Sequence, residues 1–203
     1  VATLRSGPAL PLLAASLALL GHAALCGAWL PDEAGVALAY ARSLAEGRGL
    51  VAQPGAPPVE GFASPLWALL LALGHAAGAA ALPWAPKAAA LAGALLALAL
   101  VSRAGRPRTT AEAWRATLPA GLLALNSSFA LDTASGLEHG LLAALGALSA
   151  ILAARAGSPG RAAASGLVAA LLALTRAEAV FFAAIPPLLW AARRGASGPP
   201  LGR

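Results

Sequence analysis

The chain has 203 residues, 59% of them hydrophobic and only 11% charged, with a formal net charge of +6. Water-soluble domains carry about a quarter charged residues, and the 22 Gly and 16 Pro stand beside long Leu/Ala runs, so neither an ordinary globule nor a disordered chain fits. The arginines gather at the ends of apolar runs without the interleaved aromatics of a nucleic-acid surface, and the single Cys26 excludes an internal disulfide.

The first apolar run, 9–30, follows Arg5 and exceeds the roughly 7–15 residues of a cleaved signal core, so it reads as a retained helix. Leu25 is too bulky before Cys26 for a lipoprotein cleavage box. Next, Asp32 to Glu46 reads as a short helix, opened by Pro31 and Asp32 and closed by Gly47 and Gly49. Helical spacing sets Asp32, Ala39, Arg42 and Glu46 on one side. Val36, Tyr40 and Leu44 share the other, which rests on the membrane or on a neighbouring helix. A loop with Pro54-Gly55 and Pro57-Pro58 leads to Ser64 and Pro65, an N-cap and first position for another helix.

Further apolar runs lie at 64–82, 84–101, 117–131, 137–154, 162–175 and 179–192. A crossing takes about 17–25 residues, so the shorter runs borrow from their flanks. If every run crosses once, the loop with Arg103, Arg106, Arg108 and Arg115 falls outside, against the cytoplasmic excess of Lys and Arg. If 64–82 instead lies against the outer leaflet, ten arginines and Glu112 fall inside, a net +9. Arg42, Arg48, Lys87 and Arg176 then lie outside with seven acids, a net −3. The predicted architecture is an all-α polytopic bundle of about six transmembrane helices, with juxtamembrane helices in the first outer loop, 31–83. Residues 1–194 form one transmembrane module and 195–203 a polar tail. The predicted location is a bacterial inner membrane, with the N-terminus cytoplasmic. Acids collected in outer loops rather than within helices point to a site at that face.

The first outer loop carries a longer pattern. Asp32-Glu33 is followed by Tyr40-Ala41-Arg42-Ser43-Leu44-Ala45-Glu46-Gly47-Arg48-Gly49-Leu50-Val51, then by Val59-Glu60-Gly61-Phe62-Ala63-Ser64-Pro65-Leu66-Trp67. This stretch resembles the first extracytoplasmic loop of bacterial GT-C glycosyltransferases, membrane enzymes that take sugars from polyprenyl-phosphate donors; the mycobacterial terminal arabinofuranosyltransferases are similar. Ser135-Gly136-Leu137-Glu138 and Leu174-Thr175-Arg176-Ala177-Glu178 extend the likeness over most of the chain. The departures are a bare Ala37 to Ala39, and Ala177 where the family usually has Pro. Members also run longer, so the chain is expected to be an N-terminal module or a truncated copy.

The resemblance implies a GT-C-like fold and an inverting glycosyltransferase. The expected donor is a polyprenyl-phosphate sugar, the acceptor a cell-envelope glycan, lipid or protein, and membrane lipids are the surroundings. Asp32 is then the base for the acceptor hydroxyl, with Glu33 as neighbour or substitute; as a plain structural feature Asp32 is a helix N-cap. Arg42 and Arg176 are the candidates for the donor phosphate, or else pair with Glu46 and Glu178. Glu60, Trp67, Asp132, Glu138 and Glu178 are the candidate substrate contacts. Trp67 is equally an interface anchor, and Asp132 and Glu138 equally helix-end residues. A divalent cation at Asp132 and Glu138 stays open, and no cofactor is assigned. His22, His75 and His139 lack metal-ligand spacing, and no Gly-rich phosphate loop follows a strand. The rival readings are a truncated, non-catalytic member that binds lipid-linked sugar or serves as a partner subunit, and a small transporter, whose acids belong within helices rather than in loops.

Overall fold

The computed structural model describes residues 9–27, 29–59, 61–78, 84–155, 159–185 and 188. Among them there is no strand. The helices are α1 (Leu10–Ala24), α2 (Asp32–Ala45), α3 (Pro65–Ala76), α4 (Ala85–Ala104), α5 (Thr110–Leu125), α6 (Ser127–Ala134), α7 (His139–Ala154) and α8 (Pro159–Thr175), and residues 179–185 are helical again. The tail 195–203 lies outside the described residues.

Local chemistry sets most of the boundaries. Gly47 and Gly49 take the positive φ values, +76° and +81°, that stop α2 where the sequence reading ends it. α5 opens on a Thr-x-x-Glu capping box: the Thr109 hydroxyl accepts from the Glu112 amide at 3.2 Å, and the Glu112 carboxylate accepts from the Thr109 and Arg108 amides. The run 117–131, read as one crossing, is two helices. Asn126 leaves the helical conformation (ψ 118°), and its side-chain oxygen caps α6 by accepting from the Phe129 amide at 2.9 Å.

α4, with 20 residues, is the single described helix long and apolar enough to cross a membrane by itself. α6 and α7 pass the same test only as a pair bent by 117°. α1, α3 and α8 are apolar but shorter.

The packing is built from small residues. The main core joins Ala15, Leu19, Ala94, Leu98, Ala120, Ala124 and Ala130 of α1, α4, α5 and α6. Large side chains point outward, among them Leu122 at 73% exposed, Leu73 at 67% and Phe181 at 74%. α4 and α7 form the tightest crossing. A β-carbon on Gly93 would sit 2.7 Å from the Gly140 carbonyl carbon, and one on Gly140 would overlap the Ala90 carbonyl. Only glycine at both positions allows backbone contact. α2 and α3 pair with each other and reach the remaining helices chiefly through α3 against α8.

Candidate functional site

Two walls face each other across one cavity. The first is built on the Ser135–Glu138 turn between α6 and α7. Ser135 is buried; its hydroxyl donates to the Asp132 carbonyl at 2.5 Å and accepts from the Leu137 amide at 3.4 Å. Gly136 has φ +81°, and a β-carbon there would press to 3.2 Å from Pro86 Cβ at the start of α4. The turn therefore needs glycine both for its backbone and for its closeness to α4. It delivers Glu138 to the N-cap position of α7, with only 6% of its side chain exposed.

Arg176 meets this carboxylate from the end of α8. Its Nη1 donates to Glu138 Oε1 at 3.1 Å and lies 3.5 Å from His139 Nε2, while its Nε donates to Glu178 Oε1 at 2.6 Å. The Glu178 hydrogen bond, with the charge of Glu138 added, raises the Arg176 pKa further although burial opposes it. Glu178 is held below the usual carboxylate range, first by a backbone hydrogen bond at its own residue and then by Arg176.

The second wall is the α2–α3 pair. Tyr40 is 1% exposed; its hydroxyl donates to the Val59 carbonyl at 2.7 Å and its ring lies 4.9 Å from that of Phe62. A β-carbon on Gly61 would stand 2.7 Å from the Tyr40 hydroxyl, so the small residue lets the loop close over the ring. Tyr40 thus fixes the loop against α2. Pro31 takes the N-cap position of α2, and Asp32 and Glu33 fill its first turn. Both are exposed, and neither carboxylate has a hydrogen-bond or ion-pair partner among the described residues.

Between the walls lies a cavity of about 330 Å³ whose lining includes Asp32, Glu33, Phe62, Ser64, Glu138 and Arg176. Segments more than a hundred residues apart in sequence thus converge, and four of the sequence-predicted residues meet here. Glu178 joins them through Arg176. The others fall elsewhere. Arg42 points away and pairs with Glu46 at 2.8 Å, which raises its pKa and lowers that of Glu46. Trp67 is 2% exposed and is not part of the lining. Asp132 borders a second, mainly apolar cavity of about 450 Å³, with His139, Phe129, Leu142, Leu172 and Phe182. Glu60 lies outside the described residues. Phe62 and His139 received no role from the sequence and Ser64 only that of a helix N-cap, although Phe62 and Ser64 stand in the quoted Gly-Phe-Ala-Ser motif. No group of three or more His, Cys, Asp or Glu suited to a metal ion occurs among the described residues.

The geometry offers two unpaired carboxylates, facing an arginine already held by two others. Such a site can take a proton from a hydroxyl, hold sugar hydroxyls and orient an anionic group on the remaining guanidinium nitrogen. Compared with family models, curated proteins and solved structures, the chain matches none.

Proposed function

We propose that the chain is the catalytic module of a GT-C-type membrane glycosyltransferase, moving a sugar from a polyprenyl-phosphate donor to a cell-envelope acceptor at the outer face of a bacterial inner membrane. The observation that carries this reading is the common cavity of Asp32, Glu33, Glu138 and Arg176. The membrane part draws on the packing, with a core made mostly of alanines and many leucines outside, which lipid solvates and water does not. Six crossings, with the N-terminus and the 102–116 loop cytoplasmic, remain the arrangement that best sorts the charges.

In this mechanism Asp32 accepts the proton of the acceptor hydroxyl, whose oxygen attacks the anomeric carbon. The bond from that carbon to the phosphate oxygen breaks on the opposite face, inverting the centre. Arg176 holds the departing phosphate, its fork oriented by Glu138 and Glu178. The apolar cavity beside His139 lies next to Arg176 and suits the polyprenyl chain.

One observation favours a second reading. Glu138 and Glu178 already balance Arg176, and with Asp32 and Glu33 the acids outnumber it. A site of that sign suits binding of sugar hydroxyls without transfer, as in a non-catalytic partner subunit. Turnover of polyprenyl-phosphate sugars by the purified chain separates the two. Transfer that disappears in Asp32→Asn while donor binding persists supports catalysis. Transfer unchanged in that variant removes Asp32 as the base, and binding without turnover selects the second reading.

A further inference from the structure

At its other end the α4–α7 pair carries a second charged cavity, of opposite sign. The two helices run parallel from their glycine contact. About ten residues further along, a cavity of about 380 Å³ is lined by both, with Leu100 and Ile151 in its walls and Arg103, Arg106, Arg155 and Arg161 around it. None of these arginines pairs with an acid among the described residues. Glu112, the acid nearest in sequence, is occupied by the Thr109 capping box.

Two of the four are held in place by backbone. Arg155 Nη2 donates to the Ala104 carbonyl at the end of α4, at 2.8 Å, and Arg161 Nη1 donates to the Arg155 carbonyl at 3.3 Å. Arg106 ends the helix with a left-handed backbone (φ 51°). Ion pairing therefore does not explain the cluster, and its charge is left for a ligand.

We infer that this cavity binds the headgroup of an anionic phospholipid of the phosphatidylglycerol class, between α4 and α7 at the cytoplasmic face. The inference rests on the proposed membrane reading, not on glycosyl transfer. Guanidinium groups match phosphodiester oxygens in bidentate geometry, and basic pockets between helices on the cytoplasmic side are the usual form of such sites. The aliphatic walls beneath the arginines favour a lipid over free phosphate, because a soluble anion gains nothing from Leu100 and Ile151 while an acyl chain buries both. The net +9 assigned to that face supplies attraction of the same sign.

The test uses the full chain in neutral detergent, with native mass spectrometry to measure retention of phosphatidylglycerol and phosphatidylcholine, and glycerol phosphate as the soluble control. The wild type should retain phosphatidylglycerol over phosphatidylcholine and ignore glycerol phosphate. Arg103→Gln/Arg106→Gln, at exposed positions outside the packed core, should weaken that retention about tenfold or more. Arg42→Gln, at an exposed position that lines neither charged cavity, should leave it unchanged. Equal retention of the two lipids by the wild type, equal capture of glycerol phosphate, or unchanged retention in the double variant overturns the inference. Impermeant labelling of cysteines placed at 32 and 106 separates it from its premise: labelling from one side removes the membrane reading and this site with it. Labelling from opposite sides without lipid preference removes this site alone.

Discussion

Replacing Arg176 with glutamine strands a carboxylate. The arginine bonds to Glu178, whose side chain is 58% exposed, and to Glu138, whose side chain is 6% exposed. Losing the first pair costs little, because water screens it. Losing the second leaves an uncompensated buried charge, which costs about 3–5 kcal/mol. The N-terminus of α7 beside Glu138 offsets about 0.5–1 kcal/mol of this. The sum is about 3 kcal/mol, or roughly 6–12 °C in melting temperature for a chain of this length. Glu138→Gln behaves differently, since Arg176 keeps Glu178 and part of its own hydration; its cost is about 1 kcal/mol or less. The double variant should melt close to Glu138→Gln, well above Arg176→Gln. Thermal unfolding of the detergent-solubilised protein, followed by tryptophan fluorescence, measures all three. A double variant that melts as low as Arg176→Gln would refute the reasoning, because the cost would then lie in the arginine and not in the carboxylate left behind.

Two further outcomes follow from the α2–α3 pair. Tyr40→Phe removes one hydrogen bond but keeps the ring against Phe62, so it should cost about 1 kcal/mol. Hydrogen exchange should quicken about fivefold around residues 61–64 and stay unchanged in α4. An unaltered exchange rate in the loop would show that the tyrosine does not fix it. Glu46 has its pKa lowered, first by the Arg42 hydrogen bond and then with the help of Arg48. A carboxyl whose folded value lies below its unfolded value stabilises above about pH 4.3, and the effect fades as pH falls through the folded value. Glu46→Gln should therefore melt slightly lower than wild type at pH 7, with the gap closing on acidification. A gap that persists or grows in acid contradicts the pairing.

Much of the fold was legible wherever a local rule decides the outcome. α2 begins at Asp32 and stops at Gly47 as the sequence marks it, because proline before a helix and left-handed backbone after it are properties of a few adjacent residues, although Pro31 takes the N-cap position expected of Asp32 and no side chain caps the helix. The same kind of rule was present at Asn126 and at Thr109–Glu112, but apolar periodicity masked the first and the charge count absorbed the second. The charged lining of the candidate cavity was legible where charge and motif coincide, at Asp32, Glu33, Glu138 and Arg176. Tyr40 was not: its hydrogen-bond partner is Val59, 19 residues away, and alternation along one helix cannot reveal a partner in a loop. Arg42 and Trp67 show the converse. Both stand inside the quoted motif, yet Arg42 pairs on its own helix and Trp67 is buried away from the cavity lining. Segment identity fixes neighbours along the chain but not the direction in which a side chain leaves its helix.

The two glycines that let α4 and α7 touch have a mechanical consequence for the cavity. The wall bearing Glu138 is anchored, backbone on backbone, to the longest helix, so it behaves as a fixed jaw. The jaw bearing Asp32 and Glu33 is held through side chains, with α3 packed along α2 and Lys87 donating to the Gly27 and Trp29 carbonyls just before it. Any adjustment of the gap between acid and arginine therefore falls on the latter, and bulk introduced at Gly140 would shift the anvil rather than the hammer.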